Sequence, residues 1–361
     1  MLLNQFFLRG IRKTVRAIRL FLIAPARNPI TKLESYLYLP YIEKNANILQ
    51  FDRDINNIVD IPMRACYHLV PEEFSQNSLY GISKTIKQYA GIQPKKKLLA
   101  PIEHGCYLDD SGAPDDDPFA RAIITFSEFR KEVISKYTER KLLPIGPYIH
   151  YAELIDIETL KDYKKKLGKT LLFFPAHSTH LIKTSFNHLQ AIEWLRRVSK
   201  DHQFESVLIC FYWKDCRPEI VELYLNAGFH CTTAGHIYDW NFLNRLKSII
   251  WLSDVTASNA IGTHIGYCIY MNKPHWLFEQ QIICTADVLI NIPLKIRVEN
   301  GIKSYQERKT YQSISSHLTN LFRDISLSVT HDQYEACNYF WGFNCIKTAE
   351  EMKRELTPLI E

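Results

Sequence analysis

Three short stretches of this chain carry residue types that can do chemistry on a ligand. The first is Ser253–His264, SDVTASNAIGTH, where a strand-like run gives way to Ser258, Asn259, Gly262 and Thr263 at the start of a helix-like run. Hydroxyls and unpaired backbone N–H groups converge there beside the positive end of a helix dipole, an arrangement that suits phosphate. Ordinary capping by Ser258 or Asn259 is the plainer reading of the same residues. The second stretch is PAHSTH, residues 175–180, with His177, Ser178 and His180. Such a histidine pair can bind zinc, but a third ligand at metal spacing is missing. Its alternatives are hydrogen bonding to an anion and a capping cluster ahead of the next helix. The third is IEHGCYLDDSGAPDDD, residues 102–117. His104 supplies a group that exchanges a proton near neutral pH. Asp109 and Asp110 supply a carboxylate pair, and Asp115–Asp117 reads as a solvated loop.

The elements that must position these residues follow from hydrophobic patterning. NILQFD (47–52), KLLAPIEHG (97–105) and AIITFS (122–127) read as buried strands, and EFRKEVISKY (128–137) as a helix. KLLPIGPYIHYA (141–152), with Pro144, Gly146 and Pro147, reads as a connector leading out of a first α/β domain over 30–155. From 156 to 330, strands and helices alternate about every dozen residues, the rhythm of a doubly wound parallel sheet. The strands are placed at 169–174, 205–213, 229–235, 251–258 and 274–278. The helices between them are placed at 188–200, 218–228, 240–250 and 260–273. The tail, 331–361, reads as helical, with Thr348 and Glu351 as a capping box. Ligands of such sheets bind at the carboxyl ends of strands, which is where all three stretches fall.

The segment SNAIGTHIGYCIYMNKP (258–274) resembles the nucleotide-binding half of GT-B glycosyltransferases. In those domains a strand is followed by a glycine, a helix and then a small residue, lysine and proline. The resemblance covers roughly 165–285 in rhythm. It implies an α/β protein of two Rossmann-like domains facing a cleft. Many retaining members carry a glutamate seven residues before the proline; here Tyr267 stands there, which points to an inverting enzyme. PAHSTH resembles the His–Pro pair with which inverting families, bacterial sialyltransferases and capsule enzymes among them, contact the donor phosphate. Ser178 replaces the proline. The implied donor contacts are His177, Ser178, His180, Ser258, Asn259, Gly262, Thr263 and His264. IEHG resembles the His–Gly turn that faces the acceptor in bacterial surface-polymer transferases. The base it implies is His104, with Asp109 or Asp110 as rivals, because some sialyltransferases use an acidic pair followed by glycine.

What the resemblance implies is transfer of a sugar from a nucleotide-sugar to a bacterial surface glycan: capsule, O-antigen or lipo-oligosaccharide. No cofactor or metal is expected, since an Asp-x-Asp motif after a strand is absent. Two alternatives stay open: a polyol-phosphate transferase of the teichoic-acid type, and a membrane-surface adaptor without turnover. The GxGxxG, GxxxxGK[ST] and GxSxG patterns are absent, which argues against dinucleotide enzymes, P-loop ATPases and α/β-hydrolases.

With 361 residues, 46% of them hydrophobic, the chain can bury a substantial core and fill two domains. Charge is unevenly placed. Residues 1–33 hold seven Lys and Arg and no acid, which exceeds the formal net charge of +5, so the remainder is slightly acidic. A nucleic-acid binder carries its basic stripes through the folded body instead. On a helical wheel over 2–22, Leu3, Phe7, Ile11, Val15, Ile18 and Leu22 oppose Arg9, Arg12, Lys13, Arg16 and Arg19. Residues 1–29 therefore read as an amphipathic helix lying on an anionic membrane surface, with docking on the protein's own body as the alternative. The arginines interrupt any membrane span or signal-peptide core. The location implied is the inner face of the cytoplasmic membrane. Nine cysteines without a CxxC pair read as buried free thiols of a reducing compartment.

Overall fold

A computed structural model describes residues 72–112, 119–179, 181–286 and 292–361. The basic segment 1–29, the strand expected at 47–52, Asp115–Asp117 and His180 lie outside the described residues.

The first described part has one helix, α1 (Ile82–Tyr89), then strand β1 (Ala122–Thr125), helix α2 (Glu128–Ser135) and strand β2 (Lys141–Pro144). The two strands pair in parallel, and Ile102 adds a parallel bridge to Ile124. The stretch 97–105, expected as a strand, forms no strand but only this isolated bridge and one from Leu98 to Ile360. Pro101 within it has no N–H to give a ladder. The stretch 141–152, expected as a connector, begins as β2 and leaves the strand after Pro144, with Gly146 at a φ of +78°.

Next come α3 (Ile157–Leu167), β3 (Thr170–Phe174), β4 (Ile182–Phe186), α4 (His188–Asp201), β5 (Ser206–Phe211), α5 (Pro218–Asn226) and β6 (His230–Thr233). They are followed by α6 (Phe242–Leu252), β7 (Val255–Ser258), α7 (Thr263–Tyr270), β8 (His275–Leu277) and β9 (Ile282–Ala286). Five of these strands form a parallel sheet in the order β6-β5-β3-β7-β8. The run TLLFF of β3 is buried throughout, as a strand covered on both faces requires. Alternation assigns the faces. Leu171, Phe173, Val207 and Ile209 pack with Leu195 of α4 and Val221 of α5. Leu172, Phe174, Leu208 and Cys210 pack with α6 and α7 on the other side.

That second cluster runs on into Ile86, Ile124 and Leu143, so the hydrophobic core is continuous across residue 155. Strand β7 starts later than 251, because Trp251 and Leu252 finish α6. Lys273 of the Asn-Lys-Pro motif donates to the carbonyls of Ser253 (2.5 Å) and Trp251 (3.4 Å), closing that helix end. The antiparallel pair β4–β9 was not legible in the sequence.

Helices α8 (Ile292–Gln306), α9 (Lys309–Arg323), α10 (His331–Trp341) and α11 (Ala349–Leu356) complete the chain. Thr348 and Glu351 form the capping box of α11. The end of the chain returns to the first part: Leu99 N–H donates to Leu359 O (2.7 Å), and Glu361 N–H to Lys97 O (3.0 Å). Helix α10 lies against α7 at Gly266, where a Cβ would stand 2.2 Å from the Trp341 ring. Only glycine admits this approach, and it lets Trp341 Nε1–H reach the carbonyl of Thr263 (3.0 Å).

Candidate active site

The sheet order reverses direction between β3 and β7. Strand β3 leads to β5 on one side, while β7 leads to β8 on the other, so neighbouring loops diverge above the β3–β7 pair. A cavity of about 410 Å³ opens there, in the usual range for small-molecule sites. His177, Gly262, Thr263 and His264 line it from the sheet side, and His104 lines it from the opposite side. No Lys, Arg, Asp or Glu is among its lining residues.

On the sheet side, most of the polar side chains hold the loops in place. Asn259 accepts from Ala176 N–H (2.6 Å) and donates to Gln280 (2.8 Å), tying the loops after β3 and β7 together. Ser258 is fully buried, donates to Ala260 O (2.8 Å) and lies 3.0 Å from His275 Nε2. Ser178 donates its N–H and its hydroxyl to Asp215 (2.8 Å each) and accepts from Thr184 N–H (3.1 Å). These three are engaged away from a ligand. Neither Ser258 nor Asn259 caps α7, whose N-cap is Gly262 without a side-chain cap. The first N–H groups of α7, at Thr263 and His264, have no intrahelical partner. The His264 ring stacks on Phe174 at 4.8 Å, and its Nε2 is sealed from solvent without a hydrogen-bond partner. Burial, with His177 nearby, brings its pKa down to about 3, so it stays neutral. The His264 side chain therefore brings no charge to the cavity. His177 places Nδ1 3.1 Å from Ser178 O and lies over Tyr212 at 4.4 Å. In its protonated form both ring nitrogens donate, and Nε2 is then the one for a ligand.

Across the cavity, His104 sits between two pinned neighbours. Glu103 gives N–H to Ile124 O (3.0 Å) and accepts from Tyr148 OH at its carbonyl (2.8 Å). Its carboxylate takes Arg130 at 2.7 Å and 3.3 Å and Thr125 at 2.5 Å. Two residues on, Cys106 N–H donates to Thr263 Oγ1 (3.0 Å), which locks the turn to the start of α7. These bonds fix the backbone on both sides of His104.

The acidic rivals are placed differently. Asp109 is fully buried and accepts from Arg308 (3.1 Å) and Ser111 (2.5 Å). Asp110 accepts from Thr310 (3.2 Å). Both tie the 109–111 loop to the start of α9, and neither lines the cavity. The structure thus brings together His104, His177, Gly262, Thr263 and His264. It turns Ser178, Ser258, Asn259, Asp109 and Asp110 to structural work. Among the described residues, no group of three His, Cys, Asp or Glu is placed to hold a metal ion. All eight described cysteines are free, and no described helix is long and apolar enough to cross a membrane.

Aromatic residues complete the walls, and Tyr80, Phe174 and Tyr212 among them were missed in the sequence. Tyr212 follows β5 directly, so the strand-end rule would have found it. Tyr80 comes from a 3₁₀ turn and carries a positive φ of 56°, a costly conformation for a bulky residue. It is kept by Gly81, whose Cβ would meet Trp240 O at 2.2 Å, and by an N–H bond to Ile237 O (2.5 Å). The Tyr80 and Tyr212 hydroxyls lie 3.3 Å apart, and the Tyr80 ring stands 6.2 Å from His104. Phe174 ends β3 beneath His264. Nothing local in the sequence marks Tyr80.

Compared with known proteins, the chain matches no family model and no curated sequence.

Proposed function

We propose that this chain is an inverting glycosyltransferase of the GT-B type, taking a nucleotide-sugar donor and a bacterial surface glycan acceptor. One observation carries the reading: a cavity at the reversal point of a parallel sheet, with a helix N-terminus on one wall and His104 on the other. The N–H groups of Thr263 and His264, with His177, receive the donor phosphate. The acceptor hydroxyl oxygen attacks the anomeric carbon from the opposite face. The bond to the phosphate oxygen breaks, and its electron pair leaves with the phosphate. The hydroxyl proton passes to the His104 ring. In this reading residues 72–155 belong to an acceptor-side domain starting near 30, and residues 156–330 form the donor domain.

Thermal-shift measurements with CMP, CDP, UDP and GDP test the donor part. One nucleotide should stabilise clearly, since a ligand at about 100 times its dissociation constant adds about 2.7 kcal/mol. Product analysis with the matching nucleotide-sugars should then show transfer. No response to any nucleotide removes the reading. The proposal places the chain at the inner membrane face through its basic segment 1–27. Deleting that segment should abolish sedimentation with anionic vesicles; unchanged sedimentation refutes that placement.

A further inference from the structure

A second cavity, of about 620 Å³, lies on the far side of the 103–112 loop. It shares His104 and Tyr107 with the first, so these two side chains stand between the cavities. Its chemistry differs from that of its neighbour. Ile102, Ile123 and Ile134 give it an apolar floor. Its one cation and one anion are paired with each other: Arg130 is 2% exposed and meets Glu103 at 2.7 Å. The guanidinium is further occupied by the carbonyls of Asp109 (2.9 Å) and Ser111 (3.2 Å). An anionic ligand would therefore meet a carboxylate whose counter-ion has no free donor left to offer. Arg130 also lies under the Tyr107 ring, 5.5 Å from its centroid, and steadies it. Tyr107 is 36% exposed and presents a flat apolar face. Gln76 adds an amide to the lining.

We propose that the second cavity is a subsite for a neutral, hydroxyl-bearing sugar ring, held against Tyr107 with one hydroxyl at His104. The inference rests on the transferase reading above and names the place and chemistry of its second substrate. A ring bound there delivers its hydroxyl to the partition between the cavities. The oxygen bonds to the anomeric carbon, the phosphate leaves into the first cavity with the bonding pair, and His104 takes the proton.

The test uses the full-length chain, methyl glycosides of glucose, galactose and mannose as probes, and saturation-transfer NMR. At least one glycoside should bind, and it should still bind when a nucleotide fills the first cavity. Tyr107→Ala should weaken that binding about tenfold, the scale of one lost aromatic contact. Gln76→Trp, which fills the second cavity, should abolish glycoside binding while leaving nucleotide-induced stabilisation unchanged. Displacement of the glycoside by nucleotide overturns the proposal, as does glycoside binding that survives in both variants. Nucleotide binding without any glycoside binding overturns this proposal alone. Absence of both overturns the transferase reading with it.

Discussion

On the sheet side of the first cavity neutral side chains do the holding; on the 103–111 side charged ones do. Asn259, Ser258 and Ser178 fix the loops after β3 and β7 through hydrogen bonds in which at most one partner, Asp215, is charged. Glu103–Arg130 and Asp109–Arg308 fix the opposite loop through ion pairs. The difference teaches that the most chemical-looking residues are spent on position. What lines the cavity itself is modest: the start of α7 and His177 on one wall, His104 on the other.

The largest effects should separate the walls by kind. His104→Ala should lower turnover by about 10²–10⁴-fold and leave donor affinity nearly intact, because a base acts mainly in the transition state. His177→Ala should weaken donor binding by about ten- to a hundredfold, the scale of one hydrogen bond to a charged phosphate. Steady-state kinetics and nucleotide titration on folded variants distinguish the two. Full turnover in His104→Ala with loss in Asp109→Ala or Asp110→Ala would move the base to a carboxylate.

Stability should divide the walls next. Arg130→Ala leaves the Glu103 carboxylate largely buried and unpaired, at a cost of about 3–5 kcal/mol. Urea unfolding measures it. A loss under about 1 kcal/mol would mean that the ion pair does not organise the loop.

Acid supplies the most graded effect, spread over several rings, and it acts from the sheet side. Burial brings His236 down to about 4 and His264 to about 3, and holds His275 well below the usual imidazole range. All three are neutral when folded, whereas in the unfolded chain they gain a proton below about pH 6.5. The unfolded state then binds more protons. Their contribution is therefore complete above about pH 6.5 and is lost as pH falls toward the folded values. At pH 5 His236 and His264 should each cost about 2 kcal/mol. The urea midpoint should drop between pH 7 and pH 5; a flat or rising midpoint contradicts the burial of these rings.

The repeating apolar runs determined the parallel sheet from the sequence alone. TLLFF and SVLICF bury both faces of a strand whatever surrounds them, and the helices between carry the matching periodicity. The capping box at Thr348 was equally local. The pair β4–β9 was not, because strands of five residues with mixed character are ambiguous without their partners. At the site, the strand-end rule placed His177 after β3 and the start of α7 after β7, whereas it reached His104 through a strand over 97–105 that the structure reduces to two isolated bridges. It could not determine which of them stay free for a ligand. Ser178 meets Asp215 across 37 residues and Asp109 meets Arg308 across 199, while Tyr80 reaches the wall from a distant turn. A polar side chain's availability depends on where its partner's backbone is brought in space, and only the tertiary structure decides that.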